Sequence, residues 1–296
     1  MTVNDPVASV KIALCFLALA KAKHVLQGYR SPKPFSLSET ERCVAYDLKV
    51  VDEWLAHLER FTGRKDFVRH KRVLELGPGS DLGVGVYLLA KGAAAYNACD
   101  TNDLTRHVPD SFYAALLDRV RTAEPAADTK FLAAQVQDAR SGSASRLRLV
   151  VREDFDLAAA FEARSMDVVF SQAAFEHFDD VPATVARLSA VCKPGAVIVA
   201  VIDLKTHSRW IRDKDPNNIY RYPNWLYKCF WFRGAPNRVR PYQYREIFAR
   251  NGWVDVAITP LAQIEDGRGE LAVNDQFKDS RNEMKHLSVL LCARNG

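Results

Sequence analysis

One stretch limits the fold more than any other, residues 72–79 with the sequence RVLELGPG. Its apolar residues predict a buried β-strand, and the Gly-Pro-Gly at its end predicts a tight turn. Gly77 and Gly79 would let a ligand approach the backbone where a Cβ atom would collide. Residues 81–92 then predict a helix that ends at Gly92. A strand, a glycine turn and a helix in this order are typical of the ligand-binding corner of a doubly wound α/β sheet.

Strand and helix patterns alternate along the rest of the chain. Further strands are predicted at 95–99, 147–151, 166–171, 196–203, 253–259 and 287–293, and further helices at 105–123, 180–192 and 241–251. Residues 124–145 and 205–239 lack such a pattern and are predicted to be a polar excursion and an irregular stretch. Alternation of this kind indicates a parallel sheet with right-handed crossovers.

Two predicted helices precede this sheet. The first, over 7–28, holds an apolar run at 12–20 that is far shorter than the roughly 20 residues needed to cross a bilayer. We expect this run to dock on the protein, and retain a membrane-surface helix and a signal sequence as alternatives. The second has apolar residues from Val44 to Leu58 at spacings of four and three, which predicts one core-facing stripe.

The composition restricts the class of protein. Of the 296 residues 48% are hydrophobic, which suffices for a full core and excludes global disorder. The net charge of +5 is mildly basic and does not by itself imply a nucleic-acid partner. The six cysteines are scattered without a C-x-x-C pair, so we predict small buried side chains, no zinc site and a reducing compartment, the cytoplasm.

The glycine turn differs from the dinucleotide-binding fingerprint, because Leu82 stands where G-x-G-x-x-G has its third glycine. Asp100 follows Gly77 by 23 residues, at the end of the next strand, where a carboxylate would hold both hydroxyls of a ribose. Glu75 would repel a pyrophosphate and suits a cationic or amine-bearing ligand. The turn therefore favours a nucleoside ligand without a phosphate linkage.

Several motifs follow one another in a fixed order. They are 73–79 (VLELGPG), Asp100, Asp154-Phe155, 166–171 (MDVVFS), 175–177 (FEH) and 193–196 (KPGA). Together they resemble the successive motifs of class I S-adenosylmethionine-dependent methyltransferases, over about residues 70–204. The resemblance implies S-adenosyl-L-methionine as cofactor and a Rossmann-like α/β fold. Its doubly wound sheet would have seven strands, mostly parallel, with an antiparallel last strand.

The resemblance also implies roles for individual residues. The cofactor-binding residues would be Glu75, Leu76, Gly77, Gly79 and Ser80 at the methionine part, Asp100 at the ribose, Asp154 and Phe155 at the adenine, and Ser171 and Gln172 at the end of the fourth strand. Asp156 competes with Asp154 for the adenine amino group, and the sequence leaves both open.

Transfer of a sulfonium methyl group is an in-line displacement, so the protein must align the nucleophile and exclude water. A hydroxyl acceptor also needs a base. His177, which follows the fourth strand, is the first candidate, with a purely structural tie of the loop as the alternative. Asp203 and His207, after the fifth strand, form a second candidate pair. No metal is predicted unless the acceptor is a catechol-like diol.

The segment 205–245 is the most basic part of the chain, with ten Lys or Arg against two Asp and ten aromatic residues. It follows the fifth strand, at the edge where open α/β sheets bind ligands. We therefore predict a lid over 205–240 that binds an anionic or sugar-like acceptor through Tyr222, Arg238 and Arg240. A solvated loop, an anionic membrane surface and single-stranded nucleic acid are alternative interpretations.

The chain accordingly divides into a helical extension (1–66), a cofactor-binding core (67–204), the lid (205–240) and a C-terminal part of the sheet (241–296). The predicted function is methyl transfer to a small-molecule or glycan-like acceptor, at oxygen. Whether the protein touches a membrane or forms a homodimer stays open.

Three rival functions remain. The first is an RNA methyltransferase that uses the basic segment, although Ser171-Gln172-Ala173-Ala174 differs from the Asn/Asp-Pro-Pro-aromatic motif of enzymes that methylate base amines. The second is a non-catalytic protein that only binds the cofactor. The third is a nicotinamide oxidoreductase, which the missing third glycine and Glu75 disfavour.

Overall fold

The structure, a computed structural model, describes residues 6–27, 39–208, 211–264 and 273–296. The α-helices within these residues are α1 (Pro6–Gln27), α2 (Thr40–Thr62), α3 (Gly83–Ala90), α4 (Asp110–Ala123), α5 (Thr129–Ser141), α6 (Leu157–Ala160), α7 (Val181–Val191), α8 (Asn224–Cys229) and α9 (Pro241–Arg250). The strands are β1 (Arg72–Leu76), β2 (Ala95–Asp100), β3 (Leu147–Val151), β4 (Met166–Gln172), β5 (Cys192–Asp203), β6 (Trp253–Gln263) and β7 (His286–Asn295).

The strands form one seven-stranded sheet in the order β3-β2-β1-β4-β5-β7-β6. The strands from β3 to β5 are parallel, and β7 runs antiparallel between β5 and β6. The predicted Rossmann-like, doubly wound fold with an antiparallel last strand is therefore confirmed. The strand order reverses between β1 and β4, and ligands of open α/β sheets bind outside the carboxyl ends of the strands at such a point.

Helices cover both faces of the sheet, which explains the nearly continuous apolar sequence of β1. Successive side chains of a strand point to opposite faces. Val73 belongs to a core shared with α2, α3 and α4, whereas Leu74 and Leu76 belong to a second core shared with α7 and α9. By the same alternation, Glu75 faces the first of these cores rather than the second.

Helix α2 is part of the first core. Its residues Val44, Leu48, Val51 and Leu58 are buried, and Leu55 is partly buried against the same cluster. The predicted core-facing stripe is therefore confirmed.

Residues 124–145 contain helix α5, so the prediction of a polar excursion is wrong. The Asp128 carboxylate accepts hydrogen bonds from the backbone N–H groups of Lys130 and Phe131 and caps the start of the helix. Gly142, with φ of +75°, ends it in the left-handed conformation that glycine permits. The helix buries only Leu132 and Val136, and so little apolar surface leaves a weak periodic pattern.

The segment after β5 contains α8 and has a small aromatic core of its own. This core is formed by Ile219, Tyr220, Tyr222, Tyr227, Val273, Phe277 and Met284. Leu14 and Leu17 of α1 pack against it, so the prediction that the N-terminal apolar run docks on the protein is confirmed. Arg209 and Trp210 of the basic segment lie outside the described residues.

The cysteine prediction is confirmed in part. All six thiols are free, and four of them are buried (Cys43, Cys99, Cys192 and Cys292). Cys15 and Cys229 are exposed, because α1 and α8 each bury only one side against the small aromatic core. Among the described residues, none of the helices combines the length and apolarity that crossing a bilayer requires.

Candidate functional site

A cavity of about 590 Å³ lies at the carboxyl ends of β1, β2 and β4, where the strand order reverses. The three strands contribute Gly77, Asp100 and Gln172 to its wall. His24 of α1 and residues 233–234 of the segment after β5 form the opposite side. The ring of His24 is stacked on that of Phe232 with centroids 4.4 Å apart, which holds α1 against this side of the cavity.

The turn after β1 is built so that only glycine fits. Gly77 and Gly79 have φ values of +73° and +77°, and both line the cavity. A Cβ atom at Gly77 would lie 2.8 Å from the Cβ atom of Ala174, closer than two carbon atoms can pack. The N–H of Gly77 donates to the carbonyl of Cys99 at 2.9 Å, which joins the turn to the end of β2. The bare backbone of the turn is therefore left facing the cavity.

Asp100 is buried at the end of β2 and lines the cavity beside this turn. Its Oδ2 accepts a hydrogen bond from the Gly79 N–H at 3.4 Å, and its Oδ1 accepts one from the Asn102 N–H at 3.0 Å. Burial raises the pKa of the Asp100 carboxyl, and these backbone donors partly oppose that rise. Because each carboxylate oxygen can accept a second hydrogen bond, Asp100 can receive the two hydroxyls of a ribose.

Asp154 and Asp156, which the sequence left as alternatives, have different surroundings. Asp154 lines the cavity, and the guanidinium of Arg152 donates to both of its oxygens, at 2.9 and 2.8 Å. These hydrogen bonds lower the pKa of Asp154 to about 2. Asp156 instead caps α6 by accepting from the N–H groups of Ala158 and Ala159. The position of Asp154 suits an adenine amino group, whereas Asp156 has a structural role.

An apolar wall lies next to Asp154. Phe155 lines the cavity with a φ of +47°, an uncommon value for a residue with a side chain. Its ring packs against Phe178, with centroids 4.8 Å apart. The pair forms an aromatic surface at the cavity wall.

Four predicted cofactor-binding residues do not have side chains at the cavity. Ser171 is fully buried, and its hydroxyl donates to the carbonyl of Leu76 at 3.2 Å, which ties the end of β4 to β1. Leu76 is itself part of the second core. The Ser80 hydroxyl donates to Asp81 at 3.4 Å within the interior. These side chains lie in the protein interior, next to the turn. Their direct contact with a cofactor therefore stays a prediction that the geometry does not favour.

Glu75 is the fourth of these residues. It is buried on the side of α2 and α3, where its carboxylate accepts a hydrogen bond from the Tyr96 hydroxyl. The alternation of side chains along β1 explains why it does not line the cavity. Any electrostatic effect of Glu75 on a cation in the cavity would therefore act over a distance, without direct contact.

The predicted catalytic residues come together in one cluster. The rings of His177 and His207 have centroids 4.7 Å apart, and Asp203 Oδ2 lies 3.9 Å from His207 Nε2. His177 also lines the cavity. Burial lowers the pKa of both imidazoles, to about 3 for His207, so both rings are neutral at physiological pH. A neutral imidazole can accept a proton or hold a metal ion.

Glu176 is a member of this cluster that the sequence analysis missed. It precedes His177, and one ligand atom from each of Glu176, His177 and His207 lies within 4.8 Å of the other two. Burial raises the pKa of the Glu176 carboxyl well above its usual range. The FEH motif that contains it served only for the family resemblance. Its position directly before the candidate base could have indicated this glutamate.

Asn237 positions this part of the site. Its side-chain amide donates to the carbonyls of Phe175 and Phe178, at 2.7 and 3.1 Å, and its backbone N–H donates to the carbonyl of Glu176 at 2.7 Å. Three hydrogen bonds from one residue therefore hold the turn that bears Glu176 and His177. Asn237 is not among the site residues predicted from the sequence.

The predicted acceptor-binding residues lie away from the cavity. Arg238 and Arg240 are buried, and Tyr222 lies in the aromatic core with its hydroxyl donating to Asn218. Arg238 donates to the carbonyls of Ile219 and Tyr222, at 3.0 and 2.8 Å. Contact of these side chains with the acceptor therefore stays a prediction that the geometry does not favour, because their polar groups are used inside the segment.

The Arg240 guanidinium has even more hydrogen-bond partners inside the protein. Its guanidinium donates to the carbonyls of Asn282 and Glu283, each at 2.8 Å, and to that of His286 at 3.3 Å. It also donates to the Tyr220 hydroxyl at 3.2 Å. Arg240 thus joins the segment after β5 to the chain that leads into β7.

Acidic groups outnumber basic ones around the cavity. The lining acids are Asp100, Glu153, Asp154, Asp179 and Asp180, and the lining arginines are Arg187 and Arg233. Most of these were missed because they lie in loops, where neither hydrophobic periodicity nor a glycine motif marks a residue. Asp179 and Asp180 directly follow the FEHF motif, and that proximity in sequence could have indicated them.

Gln172 completes the wall at the end of β4. Its Oε1 accepts a hydrogen bond from the Trp54 Nε1 of α2 at 3.0 Å. The indole nitrogen can only donate, so the amide nitrogen of Gln172 is left as a donor at the cavity. Together with Asp100, Asp154 and the bare glycine turn, this donor fits a nucleoside that carries an amino-acid group, as S-adenosylmethionine does.

The sequence profile of a family described as a methyltransferase domain matches residues 46–258. The match includes β1 to β5 in full and the start of β6. It therefore covers every strand that contributes to the cavity. No curated protein matches the chain.

Solved structures of methyltransferases are similar to this chain. A CurJ carbon methyltransferase shares 13% sequence identity, with 98% of this chain and 67% of that chain covered and a TM-score of 0.48. Phosphoethanolamine N-methyltransferase 2 of Haemonchus contortus, in complex with S-adenosyl-L-methionine, shares 17%, with 82% and 52% covered and a TM-score of 0.45. Geranyl diphosphate methyltransferase shares 13%, with 86% and 85% covered and a TM-score of 0.44.

Proposed function

The chain belongs to the methyltransferase-domain family, and on this premise we propose that it methylates an oxygen atom of a small-molecule or glycan-like acceptor. S-adenosylmethionine is its cofactor and supplies an electrophilic methyl group on a positively charged sulfur. The observation that carries the oxygen assignment is the cluster of His177, His207 and Asp203 beside the cavity. A cytoplasmic location, inferred from the cysteine pattern, is part of the proposal.

The residues around the cavity would bind the cofactor in three places. Asp100 would accept hydrogen bonds from the ribose, while Asp154 and Phe155 would receive the adenine. The turn at Gly77 would accommodate the methionine part, with Gln172 as a neighbouring donor. With the cofactor fixed in this way, the protein has only to place the acceptor in line with the methyl group. Positioning of the two reactants is the main contribution a protein makes to an in-line displacement.

A base is needed only when the nucleophile carries a proton that water will not remove at neutral pH, as a hydroxyl does. The Nδ1 atom of His177 lies 2.6 Å from the carbonyl oxygen of Gly234. Since a carbonyl only accepts, Nδ1 carries the proton and Nε2 holds the free lone pair. That nitrogen belongs to a residue of the cavity wall and would take the proton of the acceptor hydroxyl.

The charges of the cavity support a neutral acceptor rich in hydroxyl groups. Five carboxylates against two arginines would repel a phosphate-rich ligand. Two of the cations that suggested an anionic acceptor, Arg238 and Arg240, are buried and bound by carbonyls. The same observations weigh against RNA as the acceptor.

The test is a methyl-transfer assay with radiolabelled S-adenosylmethionine against methyl glycosides, catechols, primary amines and a short RNA, with mass spectrometry to locate the new methyl group. We expect methyl ethers from a hydroxyl compound. His177→Ala should lower kcat by about 10²–10⁴, the usual contribution of a general base, without changing the cofactor Kd.

The matched control is His107→Ala, since His107 is an exposed histidine that does not line the cavity. This variant should keep full activity. A product methylated at nitrogen or carbon, or methylation of the RNA alone, would contradict the proposal. An unchanged kcat in the His177 variant would contradict the assignment of the base.

A further inference from the structure

We propose that Glu176, His177 and His207 form a binding site for one divalent metal ion, which would hold a vicinal diol acceptor at the cavity. One ligand atom of each residue lies within 4.8 Å of the other two. Ligands that share an ion at about 2.1 Å lie roughly 3–4 Å apart, so a small movement of the side chains would close the site. The inference rests on the proposed O-methylation. With the ion bound, the Nε2 lone pair of His177 serves as a ligand, so the ion and not His177 would activate the acceptor hydroxyl.

The histidines are prepared to act as ligands. The carbonyl of Gly234, 2.6 Å from His177 Nδ1, fixes the tautomer in which Nε2 carries the lone pair. Metal-bound histidines almost always have such a partner on the second nitrogen. Asp203 lies 3.9 Å from His207 Nε2, close enough to add negative charge to the site.

Glu176 supplies the independent observation. Its side chain is fully buried, and neither carboxylate oxygen has a hydrogen-bond partner of normal geometry among the described residues. An unpartnered carboxylate is expensive to bury, because it loses the solvation of its charge. Lys205, whose charge acts on Glu176, is also paired with Asp203 at 3.6 Å. Backbone N–H groups of Glu176 and Asp203 lie close enough to act on this carboxyl, and a bound cation would give its oxygens a partner of opposite charge.

The ligand set selects the kind of ion. Two imidazoles and one carboxylate are found at catalytic zinc sites and suit other divalent transition ions as well. Ca²⁺ and Mg²⁺ prefer a shell made of oxygen atoms. Three protein ligands leave coordination positions open, and a vicinal diol can fill two of them from the cavity side, where His177 is exposed to the ligand.

The ion would change how the acceptor loses its proton. The positive charge lowers the pKa of a hydroxyl beside it, and the proton passes to the Asp203 carboxylate or to water. The oxygen lone pair then forms the bond to the methyl carbon, and the electrons of the broken C–S bond stay on sulfur. The products are a methyl ether, neutral S-adenosylhomocysteine and one proton, so atoms and charge balance.

The experiment measures metal binding directly and needs no acceptor. The full-length protein, stripped with a chelator, is titrated with Zn²⁺ and with Mn²⁺ in a calorimeter, and the bound metal is counted by elemental analysis. Replacement by Co²⁺ adds a visible spectrum that reports the coordination. We expect one ion per chain, and Glu176→Gln and His207→Ala should each weaken binding by more than the roughly 10–100-fold seen for outer-shell changes.

Controls distinguish loss of the site from loss of the fold. Glu246→Gln and His107→Ala change exposed residues outside the cluster and should bind the ion as the unchanged protein does. Cofactor titration and circular dichroism establish that each variant is folded. If a ligand variant does not fold, the Co²⁺ spectrum of the unchanged protein decides, because bands of a site without nitrogen ligands would overturn the inference.

The two proposals fail in different ways. A chain that binds no ion yet methylates a hydroxyl, with a rate that depends on His177, would refute the metal site and leave the function intact. A chain that binds one ion through this cluster but methylates only nitrogen or carbon would keep the metal site and refute both the oxygen assignment and the diol role. Binding that is equal in Glu176→Gln and in the unchanged protein would also overturn the site.

Discussion

The indole N–H of Trp54 donates to the Oε1 atom of Gln172 at 3.0 Å, which fixes the orientation of an amide at the cavity wall. The indole ring lies parallel to that of Phe170, with centroids 4.7 Å apart. Helix α2 lies before the sheet in sequence and lines none of the cavity, yet it sets which group of Gln172 a ligand meets.

We expect Trp54→Phe to weaken cofactor binding. The smaller ring keeps much of the packing on Phe170 but leaves Gln172 Oε1 without its donor, so the amide can turn. One hydrogen bond contributes about 0.5–1.5 kcal/mol, which corresponds to a roughly 2–12-fold rise in the cofactor Kd measured by calorimetry. Trp225→Phe is the control, because Trp225 is exposed. Equal Kd values in both variants would show that the orientation of Gln172 does not matter.

Comparing Gly77→Ala with Gly142→Ala separates two costs of adding a side chain, backbone strain and a steric clash. Both glycines have nearly the same φ, +73° and +75°, so alanine costs about 1–2 kcal/mol of backbone strain at either position. Only at Gly77 does the new Cβ meet another atom, Ala174 Cβ at 2.8 Å.

Urea unfolding should therefore show a larger loss of stability for Gly77→Ala than for Gly142→Ala. Calorimetry should show weaker cofactor binding for the Gly77 variant alone, because the displaced turn is part of the cavity wall. A loss of the same size in both variants would mean that the turn adapts to the methyl group.

Asp100→Asn should weaken cofactor binding. It should also raise the stability of the protein relative to the unchanged chain as pH increases. The amide lacks one acceptor for the ribose, so the cofactor Kd should rise by about 10-fold, equivalent to about 1.4 kcal/mol. Burial raises the pKa of Asp100 in the folded state above that in the unfolded chain. Its contribution to stability is therefore present below the unfolded pKa and is lost as pH rises through the folded pKa.

The difference in the free energy of unfolding, Asp100→Asn minus unchanged protein, should consequently become more positive between pH 4 and pH 7. Urea unfolding without cofactor at several pH values measures it. Asp118→Asn is the control, because Asp118 is exposed and forms a surface ion pair with Arg121. A difference that falls with pH would mean that the ionised Asp100 is favoured by the fold.

Much of the fold follows from the sequence because the signals are local. The strand at Arg72–Leu76 and its glycine turn are set by apolar residues and by φ values that only glycine adopts readily. Helix α5 was missed although Asp128 and Gly142 mark its two ends, because only Leu132 and Val136 of the helix are fully buried. The capping residues were better guides there than hydrophobic periodicity.

Cavity residues were predictable where a motif marks them, as at Asp100 and at Asp154. Which way a side chain points, and what it meets, depends on contacts distant in sequence. Glu75 faces α2 rather than the cavity. Glu176 gains its importance from His207, 31 positions away, whose ring centroid lies 4.7 Å from that of His177. The charge of Arg240 suggested a ligand, but its partners are carbonyls of residues 282–286.

Arg240→Met should therefore act on stability and leave cofactor binding unchanged. Methionine approximates the length of the side chain but donates nothing, so three carbonyls, two of them buried, lose a charged donor. Such a loss in the interior costs about 3 kcal/mol or more, which urea unfolding will measure. Arg245→Met, at an exposed position of α9, is the matched control and should stay within about 0.5 kcal/mol of the unchanged protein. If Arg240→Met instead raises the KM of the acceptor at unchanged stability, its guanidinium reaches the ligand and the buried arrangement is wrong.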